Sequence, residues 1–162
     1  MATRNLTMVV DRKHAEEHEL GFAAPPIFFH DNSYVNMYLH HDGYPQYQGV
    51  QIANWLQANA IHEGSQIAAK LVHDHYYDAC YLYADCSHVD VNYTYIIFAG
   101  KKDVWVSCYD NYEDKNIFVL QAPKIITKYK TDMDYTDFTN GDIRCEKTMN
   151  DSAKTILDLL QS

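Results

Sequence analysis

A change of hydrophobic period across one short turn limits what this chain can fold into. From Tyr34 to His40 the residues alternate, with Val35, Met37 and Leu39 on one face and Tyr34, Asn36, Tyr38 and His40 on the other, the pattern of a half-buried strand. Beyond Asp42-Gly43-Tyr44-Pro45 the spacing changes: Ile52, Trp55, Leu56 and Asn59/Ala60 recur at helical intervals. A strand that turns directly into an amphipathic helix puts the two in adjacent layers, each burying its apolar side against the other. The turn has its own chemistry. Gly43 can take a positive φ, while Pro45 fixes its own φ and pushes Tyr44 towards extended geometry.

The remaining segments extend this two-layer reading. Ile67, Ala68, Leu71, Val72 and His75 form a second helical stripe, separated from the first by Gly64. Leu6, Met8 and Val10, alternating with Thr7 and Val9, predict a first strand that stops at the charged stretch from Asp11 to Glu19. The segment 12–33 contains Pro25-Pro26 and reads as an excursion or insertion, with Ile27, Phe28 and Phe29 either anchoring it or forming an exposed docking patch. Tyr81 to Tyr83, Val89 to Ala99, Val104 to Tyr109 and Asn116 to Leu120 are rich in β-branched and aromatic residues and joined by short turns, which predicts an antiparallel meander. Asn150 can cap a short helix carrying Ala153, Ile156, Leu157 and Leu160, and the polar stretch 131–148 is read as irregular. The expected fold is α+β: one domain over 1–162, a mainly antiparallel sheet packed by two central amphipathic helices and a short C-terminal helix.

Composition sets further bounds. At 162 residues, 47% of them hydrophobic, the chain can build one core without disulfides or metal. No apolar run approaches the ~20 residues that span a bilayer, so no membrane partner is expected. MATRNLT has no apolar signal region, which places the protein in the cytoplasm, the host cell's if it is phage-encoded. There Cys80, Cys86, Cys108 and Cys145 are thiols, and the sequons at Asn5, Asn92 and Asn150 are not glycosylated. A net charge of −9 repels phosphate backbones and argues against direct nucleic-acid contact; it would suit a basic protein partner, but solubility alone explains the same charge and is the preferred reading.

The densest group of reactive side chains is His40-His41-Asp42 with His73-Asp74-His75, Asp78, Cys80, Cys86, His88 and Asp90. These are ligand types for zinc or iron, yet His73 and His75 lie two apart, on different faces of a helix, and the cysteines lack a CxxC pairing. No metal or other cofactor is therefore expected. Cys86 with His88 is the one local thiol-imidazole pair, read as a small buried residue beside a surface histidine, and Cys108 reads as core. Phosphate-loop, dinucleotide, nucleophile-elbow and zincin motifs are absent. Tyrosine is in excess: Tyr34, Tyr38, Tyr44 and Tyr47 lie near the turn, and Tyr76, Tyr77, Tyr81 and Tyr83 surround the passage from helix to sheet. Such residues serve equally at interfaces, under stacked ligands and in packed sheets.

TRNLT at the start, YVNMYLHHDGYPQYQGVQIANWL, the strand YTYII and VWVSCYDN together resemble an uncharacterised family of small proteins found in phage and bacterial genomes. Its members begin with a TRSLT-like strand and continue through a DGYP turn, with a Gly four residues after the Pro, into an amphipathic helix. Asp42, Gly43, Tyr44, Pro45 and Gly49 match that pattern, and segment 12–33 departs from it. The resemblance implies a phage or mobile-element origin and transfers no catalytic residue. The resulting expectation is a non-enzymatic phage accessory protein binding a host protein, in counter-defence or host takeover, through Tyr38, His40, His41, Asp42, Tyr44 and Tyr47 or through the 12–33 excursion. Two alternatives belong to other classes. One is a sponge for a nucleotide-like small molecule held on aromatic residues at the interface of a homo-oligomer. The other is a metal-dependent hydrolase using His40, His41, Asp42, His73 and His75.

Overall fold

The computed structural model describes residues 3–75, 81–84, 86–87 and 89–130; the predicted irregular stretch 131–148 and C-terminal helix lie outside these. The elements run β1 (Asn5–Asp11), α1 (Arg12–Glu16), two 3₁₀ turns (Gly21–Ala23 and Pro26–Asn32), β2 (Ser33–Leu39), one π-helical turn (Pro45–Gly49), α2 (Val50–Ala58), α3 (Gly64–His75), β3 (Tyr81–Leu82), β4 (Tyr93–Ala99), β5 (Trp105–Asp110), β6 (Lys115–Leu120) and α4 (Ala122–Tyr129). The six strands make one sheet in the order β3-β2-β1-β4-β5-β6, and the α+β class holds.

The pairing departs from a simple meander. β4, β5 and β6 are consecutive antiparallel neighbours, as their short turns require. Tyr81 and Leu82, expected to join them, instead pair with β2 at the opposite edge (Tyr38 with Tyr81, Met37 with Leu82). β1 lies between β2 and β4, antiparallel to the first and parallel to the second, with Asn5 opposite Tyr93 and Asp11 opposite Ala99. A parallel pair needs a long crossover, which β2, α2 and α3 supply.

Central strands are covered on both faces, so apolar residues run consecutively from Met8 to Val10 and from Tyr95 to Ala99. On the front face Val9, Met37, Leu39, Tyr95, Ile97, Val106 and Cys108 pack against α2, α3 and α4. α4 has no counterpart in the sequence reading; Pro123 sits in its first turn, where a missing N–H costs nothing, and Ile125 and Tyr129 recur at helical spacing to reach the core. On the back face Leu6, Met8, Val10, Tyr38, Ile96 and Phe98 meet Ala15, Ala24 and Phe29. Segment 12–33 is therefore no excursion from the core: it is the back-face cover, one short helix and two 3₁₀ turns. Phe29 is its anchor, T-stacked on Phe98 at 5.2 Å, whereas Ile27 and Phe28 stay exposed.

The turn between β2 and the π-helical segment works differently from expectation. Asp42, not Gly43, has the positive φ, at 58°. Gly43 is needed for closeness: a Cβ there would lie 2.7 Å from both Asn5 Cβ and the Thr3 carbonyl oxygen. Its N–H donates to Thr3 O at 2.8 Å, and its carbonyl accepts from the buried Tyr95 hydroxyl at 2.5 Å. Tyr44 is extended before Pro45 as predicted, and its carbonyl accepts from both Tyr47 and Gln48 N–H. The wide π turn then leads straight into α2, which ends at Ala58 with Asn59 as its cap rather than continuing through Ala60.

Candidate binding surface

The six residues singled out around the turn do not form one outward surface. Tyr38 and Tyr47 are buried, His40 and His41 are exposed, Asp42 is half-buried, and Tyr44 lies at the surface with its ring 6.0 Å from that of Tyr47. The outward placement expected of Tyr38 and Tyr47 fails because the back face of β2 is covered and because Tyr47 is buried within the π turn.

Tyr38 organises what lies at the edge. Its hydroxyl and His40 Nδ1 share a hydrogen bond of 2.8 Å, and its ring lies 5.9 Å from those of both Tyr81 and Tyr83, which are themselves 6.1 Å apart. His41 packs edge-to-face on His40 at 4.8 Å. Asn36, two residues earlier on the same buried face, ties down the chain after β3. Its backbone carbonyl accepts from Tyr83 N–H at 3.0 Å, and its amide nitrogen donates to the carbonyls of Tyr83 and Ala84 at 3.3 and 3.4 Å. Two residues cannot hold a strand alone, so this clamp is what positions Tyr83.

The outer part of the cluster is open to solvent, with Tyr81 62%, Leu82 52% and Tyr83 41% exposed on consecutive positions. Edge strands normally blunt themselves with charge or proline; this one carries large apolar side chains. Sequence reasoning placed Tyr81 and Tyr83 in a meander and missed their meeting with Tyr38. The signal was a pair of tyrosines at period two, on a segment too short to sit inside a sheet.

Among the described residues no three or more His, Cys, Asp or Glu side chains lie close enough to hold one metal ion, and His88, Cys80, Cys145 and the His75 side chain lie outside them. His73 Nδ1 is 3.1 Å from Asp74, whose other oxygen accepts from Trp55 Nε1 at 2.8 Å and from Lys70 at 3.1 Å, a structural tie between α2 and α3. Burial raises the Asp74 carboxyl, and these donors outweigh it, so the net shift is downward. Asp42 is shifted upward by burial, partly offset by His41. Burial also pushes the Cys108 thiol far above its ordinary range, which keeps it protonated and inert, as expected for core. Cys86 is half-buried and lies in a bend, not a strand, with its thiol 3.7 Å from Pro26 O.

Comparison with known proteins finds no matching family model, no matching curated protein and no matching solved structure. Among the described residues no helix is long and apolar enough to cross a membrane.

Proposed function

We propose that this protein acts by binding rather than by catalysis, engaging a protein partner through the aromatic edge built on Tyr38, His40, Tyr81, Leu82 and Tyr83. One observation carries the reading: three consecutive large side chains are exposed, Tyr81 and Leu82 on the outermost strand and Tyr83 just after it, with the buried Tyr38 behind the two tyrosines. Rigid aromatic rings with polar tips give large contact area at little entropic cost, and a strand edge offers main-chain groups to a second strand. The segment order, from TRNLT through DGYP into an amphipathic helix, resembles phage proteins, so the partner we propose is a host component met in the cytoplasm during counter-defence or host takeover.

The test is capture of host proteins by the wild type and by Tyr81→Ser/Tyr83→Ser. The proposal predicts a discrete partner retained by the first and lost by the second, with unchanged thermal stability because both sites are exposed. An identical set of captured proteins would overturn it. The tyrosine cluster also suits a stacked nucleotide-like ligand. A nucleotide that stabilised the wild type by about 2.7 kcal/mol at a hundred times its Kd would move the reading to a small-molecule sponge.

A further inference from the structure

Away from the aromatic edge, two features of the back-face cover meet at Ile27. The first is an exposed apolar ridge of Leu20, Ile27 and Phe28, with Phe28 held against the His18 ring at 4.4 Å and Leu20 N–H donating to His18 Nδ1 at 3.0 Å. Phe28 is held by a neighbouring ring, the Leu20 backbone is tied to the same histidine, and all three side chains face solvent. The second is a cleft of about 290 Å³ of which Ile27 forms part of the wall. Pro25, Pro26, Val89 and Val91 continue the apolar lining, and Asp90 and Asp114 supply carboxylates.

The carboxylates are anchored and unsaturated. Asp114 Oδ1 accepts a short hydrogen bond from Tyr109, and Asp90 Oδ2 accepts from Arg4 at 3.3 Å, so each carboxylate has one oxygen with no partner among the described residues. Among the described residues no lysine or arginine lines the cleft, although Arg4 contacts two of its lining residues, Asp90 and Tyr112. Around the ridge the same cover exposes Glu16, Glu17, Glu19 and Asp31 against a single exposed lysine, Lys13. The cleft is at the small end for a ligand pocket, which is commonly about 300–1,000 Å³, but it suits one long side chain. An apolar wall beside fixed carboxylates matches a side chain with an aliphatic stem and a cationic head.

We propose that the ridge and cleft together dock a basic, apolar segment of a partner protein. Its apolar residues lie on Leu20, Ile27 and Phe28, and one Arg or Lys side chain enters the cleft to meet Asp90 and Asp114. The charge complementarity that selects this occupant also rejects nucleic acid, whose phosphates would face the same carboxylates. This surface shares no residue with the aromatic edge, so either can fail alone.

The experiment titrates the ¹⁵N-labelled full chain with three synthetic peptides of one pattern, in which leucine and phenylalanine are interspersed with arginine, with citrulline or with glutamate. The expected result is saturable movement of the Ile27, Phe28, Asn111 and Asp114 amides with the arginine peptide. Citrulline should weaken it at least roughly tenfold, the loss of a charge-assisted contact, and glutamate should abolish it. Asp114→Asn keeps a residue type that tolerates the positive φ of this position, 53°, and should weaken the arginine peptide roughly tenfold. Phe28→Ser, at an exposed site, should weaken it independently, whereas Tyr81→Ser/Tyr83→Ser should leave it unchanged. Equal binding of the arginine and citrulline peptides, amide movements confined to the aromatic edge, or an unaltered affinity in both Asp114→Asn and Phe28→Ser would overturn the proposal.

Discussion

Ile96 and Ile97 are neighbours on β4, equally and fully buried, and they face opposite layers of the molecule. Ile97 points into the front core, where three amphipathic helices lie against the sheet. Ile96 points into the back core, closed by one five-residue helix and two 3₁₀ turns. Regular helices satisfy their own backbone and present continuous apolar stripes. The back-face cover is made of short turns with only local backbone bonds and is tacked down by Phe29 and by Phe22, stacked on Trp105 at 5.8 Å. The ridge and cleft lie on this second side, as do Tyr38 and its partner Tyr81, whereas Leu82 stands opposite the front-facing Met37. The contrast teaches a division of labour: the front face carries the stability, and the back face, held by anchors rather than by regular structure, presents side chains to partners.

The strongest test of that contrast substitutes the two isoleucines in turn. Ile97→Ala should cost about 4 kcal/mol in urea denaturation, because a helix-packed core cannot collapse around the missing methylenes. Ile96→Ala should cost at least about 1 kcal/mol less, since an irregular cover relaxes into the space. Equal losses would break the comparison. Gly43→Ala comes next, expected to destabilise by about 1–3 kcal/mol because the new methyl meets the Thr3 backbone and Asn5 Cβ, neither of which can swing aside.

Trp55→Phe probes the tie between α2 and α3, with an expected pH-dependent loss of about 1 kcal/mol, kept small because Asp74 is partly exposed. The folded carboxyl of Asp74 is shifted below its ordinary value, so its contribution is present above that value and lost as the pH falls through the folded one. The difference between wild type and Trp55→Phe should therefore shrink on acidification, leaving only the packing loss. Thr7→Val should be neutral or gain up to about 1 kcal/mol, because the buried Thr7 hydroxyl has no hydrogen-bond partner among the described residues. Phe28→Ser should change stability by less than about 0.5 kcal/mol, as expected for a side chain on the solvent side of the cover.

Local pattern carried much of this architecture and none of its long-range pairing. β2, α2, α3 and the β4-β5-β6 meander follow from periods of two and 3.6 and from short turns, and all are present. The insertion of β1 between β2 and β4 depends on which strands meet across many residues, and nothing in the spacing of Leu6, Met8 and Val10 encodes a parallel neighbour. The same strand shows why burial was misjudged: a sheet covered on both sides buries Asn5, Thr7, Asn36 and Tyr38 as well as the apolar set. The turn was legible as a turn, but its positive φ lies at Asp42 and the glycine serves contact with β1 instead. Of the site residues expected, His40, His41 and Tyr44 reach the surface, and Tyr38 acts as the buried floor under Tyr81 and Tyr83, a meeting that only the edge pairing creates.

Hydrogen exchange of the native chain, resolved by residue, tests the division between the two faces most directly. The account predicts that amides of the cover between Arg12 and Asn32 exchange through local openings, well before those of α2, α3 and the central strands β1 and β4, which should exchange together near the global unfolding free energy. Cover amides as slow as those of β1 and β4 would contradict it, by showing that the back face opens only when the whole fold does.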